Sequence, residues 1–208
     1  MRIARIVGLV LAMAWGGLPA ANAQQQDAAG VVSRVQGAAL AVKNAVPRIL
    51  AAGDPVGIGD VLSTGVDSRL EIVLADDTVF TLGAEASFVV VDYTFGRGGE
   101  NNRVLRVLEG AFLVATGATG QQDQFVVETT VATIGIRGTT FWGGPLDGEF
   151  QIMVVDGVGI IVSNAGGQVT LGPGNGTRIP AGGGAPTDPA VWADEKVARA
   201  QATVAFAP

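Results

Sequence analysis

Short apolar runs that end in glycine or acidic turn residues recur through most of this chain. In the clearest run, residues 69–83 (RLEIVLADDTVFTLG), the positions Leu70, Ile72 and Leu74 alternate with other residues and would share one face of a strand. Turn residues recur at intervals of about eight to twelve residues, and no helical period appears in this region. We therefore predict an all-β fold of about ten strands. The architecture is a rolled, short β-helix-like stack or, alternatively, a β-sandwich.

A weak internal repeat runs through these strands. An apolar run, an acidic dipeptide and a second apolar run follow one another at Asp76-Asp77, Glu109-Gly110 and Asp156-Gly157. Such dipeptides are common turn formers. We therefore predict that they are hairpin turns with solvated carboxylates.

The first 23 residues have the pattern of a secretory signal peptide. Arg2 and Arg5 precede a short apolar segment, and the small residues Ala21 and Ala23 stand before Gln24. The apolar segment is shorter than the ~20 residues that an uncleaved membrane anchor would need. We expect cleavage after Ala23 and a periplasmic or secreted bacterial protein with no transmembrane segment after cleavage.

The last part of the chain changes character after residue 183. A glycine-rich hinge precedes a helical pattern in which Asp188 could be the N-cap and Pro189 the first helical residue. Glu195 and Arg199 are spaced as an i,i+4 pair, and Trp192 could anchor the helix on its own domain. The predicted organisation is a signal peptide (1–23), an all-β domain (24–183) and a C-terminal helical appendage (184–208).

Composition excludes several kinds of chemistry. The chain has no Cys and no His, which excludes disulfides, thiol nucleophiles and Ser-His-Asp catalysis. Without the two signal-peptide arginines, 11 basic residues face 19 acidic ones, a net charge of −8. Because such a surface repels phosphate backbones, we expect no nucleic-acid partner.

Carboxylates are the remaining candidates for catalysis or metal binding. Most lie beside glycine or other turn formers, so turn formation accounts for them; they are Asp54, Asp60, Asp67, Asp76, Asp77 and Glu85. Asp54 and Asp60 share one loop and are the best case for calcium, but the loop lacks an EF-hand pattern. We predict no catalytic residue, no metal site and no cofactor.

A single cation interrupts the stretch 130–144 (TVATIGIRGTTFWGG), where Arg137 precedes Gly-Thr-Thr and Phe141-Trp142. Two interpretations are open from the residues alone. The stretch could be a catalytic loop with a lone cation, or a strand whose end is shaped for packing.

Taken together, these motifs resemble the FecR domain, the periplasmic domain of bacterial iron-transport sensors. The resemblance covers roughly residues 31–179 and rests on several short motifs in the family's order. These are Gly59-Asp60, Leu62, Thr64, the strand 70–74 with its turn and Leu82-Gly83, Glu109-Gly110 with Leu113, and Arg137-Gly138-Thr139 with Phe141.

The resemblance implies a structural role for the Arg137 stretch. Phe141 would enter the core, and Gly138 would adopt a backbone conformation that a Cβ hinders. Arg137 would either be held by a carboxylate (Asp60, Glu109 or Glu128) or by carbonyl groups at a strand end, or be exposed on a sheet face.

The resemblance also implies a function. The family's sensors carry a cytoplasmic anti-sigma segment and a membrane helix before the domain, whereas this chain has a signal peptide there, so we expect no direct contact with a sigma factor. We predict an exported, non-enzymatic FecR-domain protein, a cell-envelope signalling or scaffold module that binds an envelope or outer-membrane protein. The alternatives are an envelope glycan-binding module and a carboxylate-based hydrolase. The predicted binding or structural motif comprises Gly59, Asp60, Thr64, Arg137, Gly138, Thr139 and Phe141.

Overall fold

The computed structural model describes residues 28–95, 101–117 and 124–208, so the predicted signal peptide lies outside the described residues. The described part contains sixteen strands and one helix, and this confirms the predicted all-β class. The helix is α1 (Asp194–Ala202). The strands are β1 (Ala28–Gln36), β2 (Ala39–Lys43), β3 (Val46–Ile49), β4 (Pro55–Gly57), β5 (Val61–Thr64), β6 (Arg69–Leu74), β7 (Val79–Leu82), β8 (Ser87–Thr94), β9 (Asn102–Glu109), β10 (Phe112–Ala115), β11 (Gln124–Glu128), β12 (Thr133–Leu146), β13 (Glu149–Asn164), β14 (Gly167–Leu171), β15 (Asn175–Ile179) and β16 (Ala190–Val191).

All strands belong to one sheet that is organised around β12. One edge of β12 pairs with β11 near its start and with β10 near its end, while β13 pairs along the opposite edge. Two runs of strands therefore lead away from the same edge. The first layer is β11-β9-β8-β5-β2-β3, and the second layer is β10-β7-β6-β1-β4. Neighbours are antiparallel except β9 and β11, which are parallel.

The two layers face each other across an aromatic core. Phe88 of the first layer contacts Phe80 of the second, with ring centroids 4.5 Å apart. Phe80 stacks on Phe112 at 5.7 Å, and Phe112 meets Phe141 edge-on at 5.9 Å. Each such pair adds roughly 0.5–1.5 kcal/mol beyond the burial of its area. The sheet is thus rolled onto itself, with the core between its halves.

A second, smaller apolar cluster lies on the other face of β12. Trp142 follows the buried Phe141 but packs away from the main core, against Trp192, with ring centroids 6.0 Å apart. Ala200 of α1 belongs to this cluster, and the Trp142 indole N–H donates to the Thr203 hydroxyl at 3.0 Å. The C-terminal segment therefore docks on the sheet, with Trp192 as its anchor. In the described residues, no helix has the length and apolar character needed to cross a membrane.

The helix begins later than predicted. Residues 188–193 are not helical, and β16 pairs with β15, so Asp188 is not an N-cap and α1 starts at Asp194. The backbone N–H of Trp192 donates to the Gly174 carbonyl at 3.2 Å. Contacts with the sheet therefore override the local capping pattern. Arg199 bonds to Asp147 at 2.5 and 3.1 Å instead of forming the predicted pair with Glu195.

The predicted hairpin repeat is correct at only one of its three positions. Asp76-Asp77 joins the paired strands β6 and β7. Glu109-Gly110 joins β9 to β10, which lie in different layers, and Asp156-Gly157 lies inside β13. The strand count exceeds the predicted ten because glycines divide apolar runs, as Gly37 divides β1 from β2, and because β3 and β4 are too short to give a pattern.

Candidate functional site

The motif residue Asp60 lies where the two ends of the rolled sheet meet. We call the gap between the terminal strands β3 and β4 the seam. The Asp60 carboxylate accepts hydrogen bonds from the Arg48 guanidinium at 2.7 Å and from the Gly57 N–H at 2.8 Å. Arg48 also donates to the Pro55 carbonyl at 2.9 Å. These two side chains thus form hydrogen bonds with backbone groups of β4 that would otherwise bond to a neighbouring strand.

One oxygen of this carboxylate has no hydrogen-bond partner in the described residues. The Asp60 side chain is 3% exposed and that of Arg48 is 36% exposed. Asp60 Oδ2 makes the contacts above, while Oδ1 is buried and makes no hydrogen bond. Leaving a buried acceptor unsatisfied costs about 1–3 kcal/mol. An open groove of about 650 Å³ adjoins it, and Lys43, Val46 and Asp54 are among its lining residues.

The outer edge of β3 borders this groove. The Leu50 N–H donates to the Ala39 carbonyl at 2.9 Å, which fixes the alternation of hydrogen bonds between β2 and β3. By that alternation, the N–H and C=O of Ile49 and the C=O of Pro47 point away from β2. The side chains of Val46 and Ile49 are 66% and 80% exposed. The seam therefore has an open strand edge with apolar side chains.

The neighbouring motif residues have structural positions. Gly59 adopts φ +82° in the turn before Asp60. The buried Thr64 hydroxyl donates to the Gly83 carbonyl at 2.7 Å and accepts from the Ala86 N–H at 2.9 Å. Thr64 thereby ties β5 to the loop between β7 and β8.

The Arg137 stretch lies far along the chain, at the point where β12 passes from β11 to β10. Thr139 Oγ1 accepts from the Gly159 N–H at 2.8 Å, and the Thr139 N–H donates to the Thr116 hydroxyl at 2.8 Å. Gly138 has φ +54°, and Phe141 is fully buried. At this bend in β12, hydrogen bonds to threonine hydroxyls thus replace backbone hydrogen bonds between strands. The stretch therefore has a structural role.

Arg137 itself is exposed on β12, on the rim of an apolar groove of about 400 Å³. Two of the acids considered as its partners bind other arginines. Asp60 binds Arg48, and Glu128 binds Arg106 at 2.6 Å.

Comparison with known proteins finds a family model that matches part of this sheet. Residues 60–158 match the family model described as FecR protein, a range that starts at the seam and ends past the bend. The chain contains a FecR domain. No curated protein matches the chain.

The FecR domain also has solved structural neighbours. Two crystal structures of a protein provisionally described as an anti-sigma factor, from Parabacteroides distasonis, share its fold with a TM-score of 0.55 and 18% identity. Each alignment covers 66% of this chain and 62% of that chain. The chain therefore spans less than two thirds of these neighbours, and the likeness concerns the fold alone.

A buried charged cluster inside the FecR domain was missed by sequence reasoning. Asp76, predicted as a solvated turn residue, is 1% exposed. Its carboxylate accepts from the Tyr93 hydroxyl at 3.0 Å and the Thr78 hydroxyl at 3.0 Å, and it forms an ion pair with Arg103. The Arg103 guanidinium also faces the ring of Phe125 at 4.9 Å. The cluster links the β6–β7 turn of the second layer to β8 and β9 of the first.

Burial, followed by the negative charge of Asp76, raises the pKa of the Tyr93 hydroxyl well above its ordinary value. Tyr93 is therefore a hydrogen-bond donor to Asp76 at physiological pH. One sequence signal could have revealed the cluster. Arg103, Leu105 and Val107 alternate along β9, so the arginine occupies a core-facing position.

The acids of the groove hold backbone groups. Asp54 accepts the Ala51 N–H at 2.8 Å, and Asp60 accepts the Gly57 N–H. Within the described ranges, no three acidic residues are grouped closely enough to hold a metal ion. The contacts of these two carboxylates stabilise the turns on either side of β4.

Proposed function

We propose that this FecR-domain protein is an exported, non-enzymatic module of the bacterial cell envelope that binds a protein partner at the seam. The observation that carries the proposal is the open edge of β3. Ile49 is 80% exposed there, beside a groove of about 650 Å³. Exposed edges of this kind are either blocked or used for pairing with another chain.

The partner segment that fits the seam is an extended peptide. It would pair with the outward N–H and C=O of Ile49 and with the C=O of Pro47, as in other β-strand additions. Pro47 offers no N–H, so the pairing is short and needs side-chain contacts as well. Val46 and Ile49 supply apolar contacts, and the free Oδ1 of Asp60 would accept a hydrogen bond from a donor side chain of the peptide.

A binding role fits the chemistry of the chain better than catalysis. The full sequence contains no His and no Cys. The two acids of the groove, Asp54 and Asp60, already accept backbone N–H groups. A carboxylate hydrolase would instead need one acid and one base that are free to exchange protons with a substrate.

Affinity capture from solubilised envelopes with the tagged mature protein tests the proposal. We expect one defined envelope protein whose recovery falls with Ile49→Lys, which charges the edge, and with Ile49→Pro, which removes the outward N–H. Val191→Lys is the matched control, because Val191 is 79% exposed and lies outside the groove lining.

Two results would overturn the proposal. Recovery that is unchanged by both Ile49 variants would remove the seam as the interface. Failure to capture any protein, together with co-sedimentation of the chain with purified peptidoglycan, would replace the protein-binding role with the glycan-binding alternative.

A further inference from the structure

A small cleft lies between β15 and the extended segment that precedes α1. Its volume is about 240 Å³, that of about eight liquid water molecules. Its lining includes Gln151, Thr177, Asp188, Trp192 and Lys196. None of the residues that line this cleft lines the seam groove, so the two sites are separate.

A buried acceptor in this cleft is unsatisfied. Gln151 is 3% exposed, and its side-chain N–H donates to the Leu146 carbonyl at 2.6 Å. That contact fixes the orientation of the amide. Its oxygen, Oε1, is buried and makes no hydrogen bond with the described residues. Buried acceptors nearly always have a hydrogen-bond partner, and a donor group in the cleft would supply one here.

The cleft also contains a cation without a carboxylate partner. Lys196 Nζ lies 4.1 Å from the centroid of the Trp192 ring and forms no ion pair with the described residues. The two neighbouring arginines are already paired, Arg178 with Glu149 at 3.1 Å and Arg199 with Asp147 at 2.5 Å. Burial is the main cause that lowers the pKa of Lys196. An anion at Nζ would offset that effect.

We propose that this cleft binds a small monocarboxylate that also carries hydroxyl groups, such as a single sugar acid. Its carboxylate binds the Lys196 ammonium, and one of its hydroxyls donates to Gln151 Oε1. Asp188 is exposed at the rim and disfavours a second carboxylate. The volume is below the range of drug-sized pockets, which limits the ligand to about one ring.

Lysine labelling tests the site directly, because Lys43 and Lys196 are the only lysines of the chain. An amine-reactive reagent is applied with galacturonate, galactose or acetate, and mass spectrometry gives the rate at each lysine. Galacturonate at about ten times its dissociation constant should slow labelling of Lys196 about tenfold and leave Lys43 unchanged. Galactose lacks the carboxylate and acetate lacks the hydroxyls, so each should protect Lys196 less.

A matched pair of variants gives a second readout. In amide NMR spectra, galacturonate should shift the signals of Gly176 and Thr177 in the wild type and in Lys43→Met, but not in Lys196→Met. Equal shifts in both lysine variants would overturn the proposal. So would equal protection of Lys196 by all three probes, or the absence of protection by galacturonate.

Discussion

The buried pair of Asp76 and Arg103 should be the most sensitive electrostatic contact of the FecR domain. The two side chains are 0% and 3% exposed, so neither charge can be hydrated if its partner is lost. Asp76→Asn keeps the shape of the side chain but removes the negative charge that Asp76 places beside the Arg103 guanidinium. Breaking one partner of a buried pair costs about 3–5 kcal/mol. We expect a loss of that size in the free energy of unfolding.

Two further variants distinguish the loss of the ion pair from general damage to the fold. Arg103→Met combined with Asp76→Asn removes both charges, so the double variant should lose less than the sum of the single losses. Arg106→Met is the matched control. It breaks an ion pair with Glu128 in which the side chains are 47% and 33% exposed, and exposed pairs contribute about 0–1 kcal/mol.

Urea unfolding followed by tryptophan fluorescence measures these losses. With a slope of about 2 kcal/mol per molar urea, Asp76→Asn should lower the midpoint by about 1.5–2.5 M, and Arg106→Met by less than about 0.5 M. The reasoning is refuted if both substitutions shift the midpoint equally. It is also refuted if the losses of Asp76→Asn and Arg103→Met simply add in the double variant.

Ala45→Gly should stabilise the protein by about 0.5–1 kcal/mol in urea unfolding, because Ala45 has φ +64° in the β2–β3 turn; a loss would contradict this. Gly138→Ala should lower the free energy of unfolding by about 1–2 kcal/mol because of its positive φ alone. A Cβ there has room, because its nearest neighbour would be 3.8 Å away. Gly157→Ala should cost more, because its Cβ would clash with the Gly138 carbonyl oxygen; equal losses in thermal unfolding would be evidence against that clash. Arg199 lowers the pKa of Asp147 below its ordinary 3.8 through a hydrogen bond. The contact therefore stabilises the docked helix above about pH 3.8 and is lost as pH falls through the lowered value. In an NMR titration, Arg199→Met should raise the midpoint of Asp147, and an unchanged midpoint would exclude this contact as the cause.

Alternation along single strands made much of the fold predictable. Leu70, Ile72 and Leu74 alternate in the sequence, and all three are at most 2% exposed. Phe141 and Trp142 are adjacent, so they necessarily point to opposite faces of β12. The order of the FecR motifs along the chain carried the family assignment, which the match over residues 60–158 bears out.

Contacts between strands that are distant in sequence could not be predicted in this way. The partners of Asp60 and Asp76 are set by the way the sheet rolls, and local turn rules describe only the backbone around each acid. The start of α1 was missed for the same reason. Asp188 has good capping chemistry, but pairing of β16 with β15 keeps the preceding segment extended.

The sharing of β12 by both layers has a consequence for how the molecule can come apart. In the order of paired strands, every path from one layer to the other passes through β12. Neither layer could fold as a separate fragment, because each would lose β12, the strand with which its first strand pairs. Insertions that lengthen residues 133–146 would displace both halves together, whereas insertions at the β2–β3 turn would leave the remainder of the molecule in place.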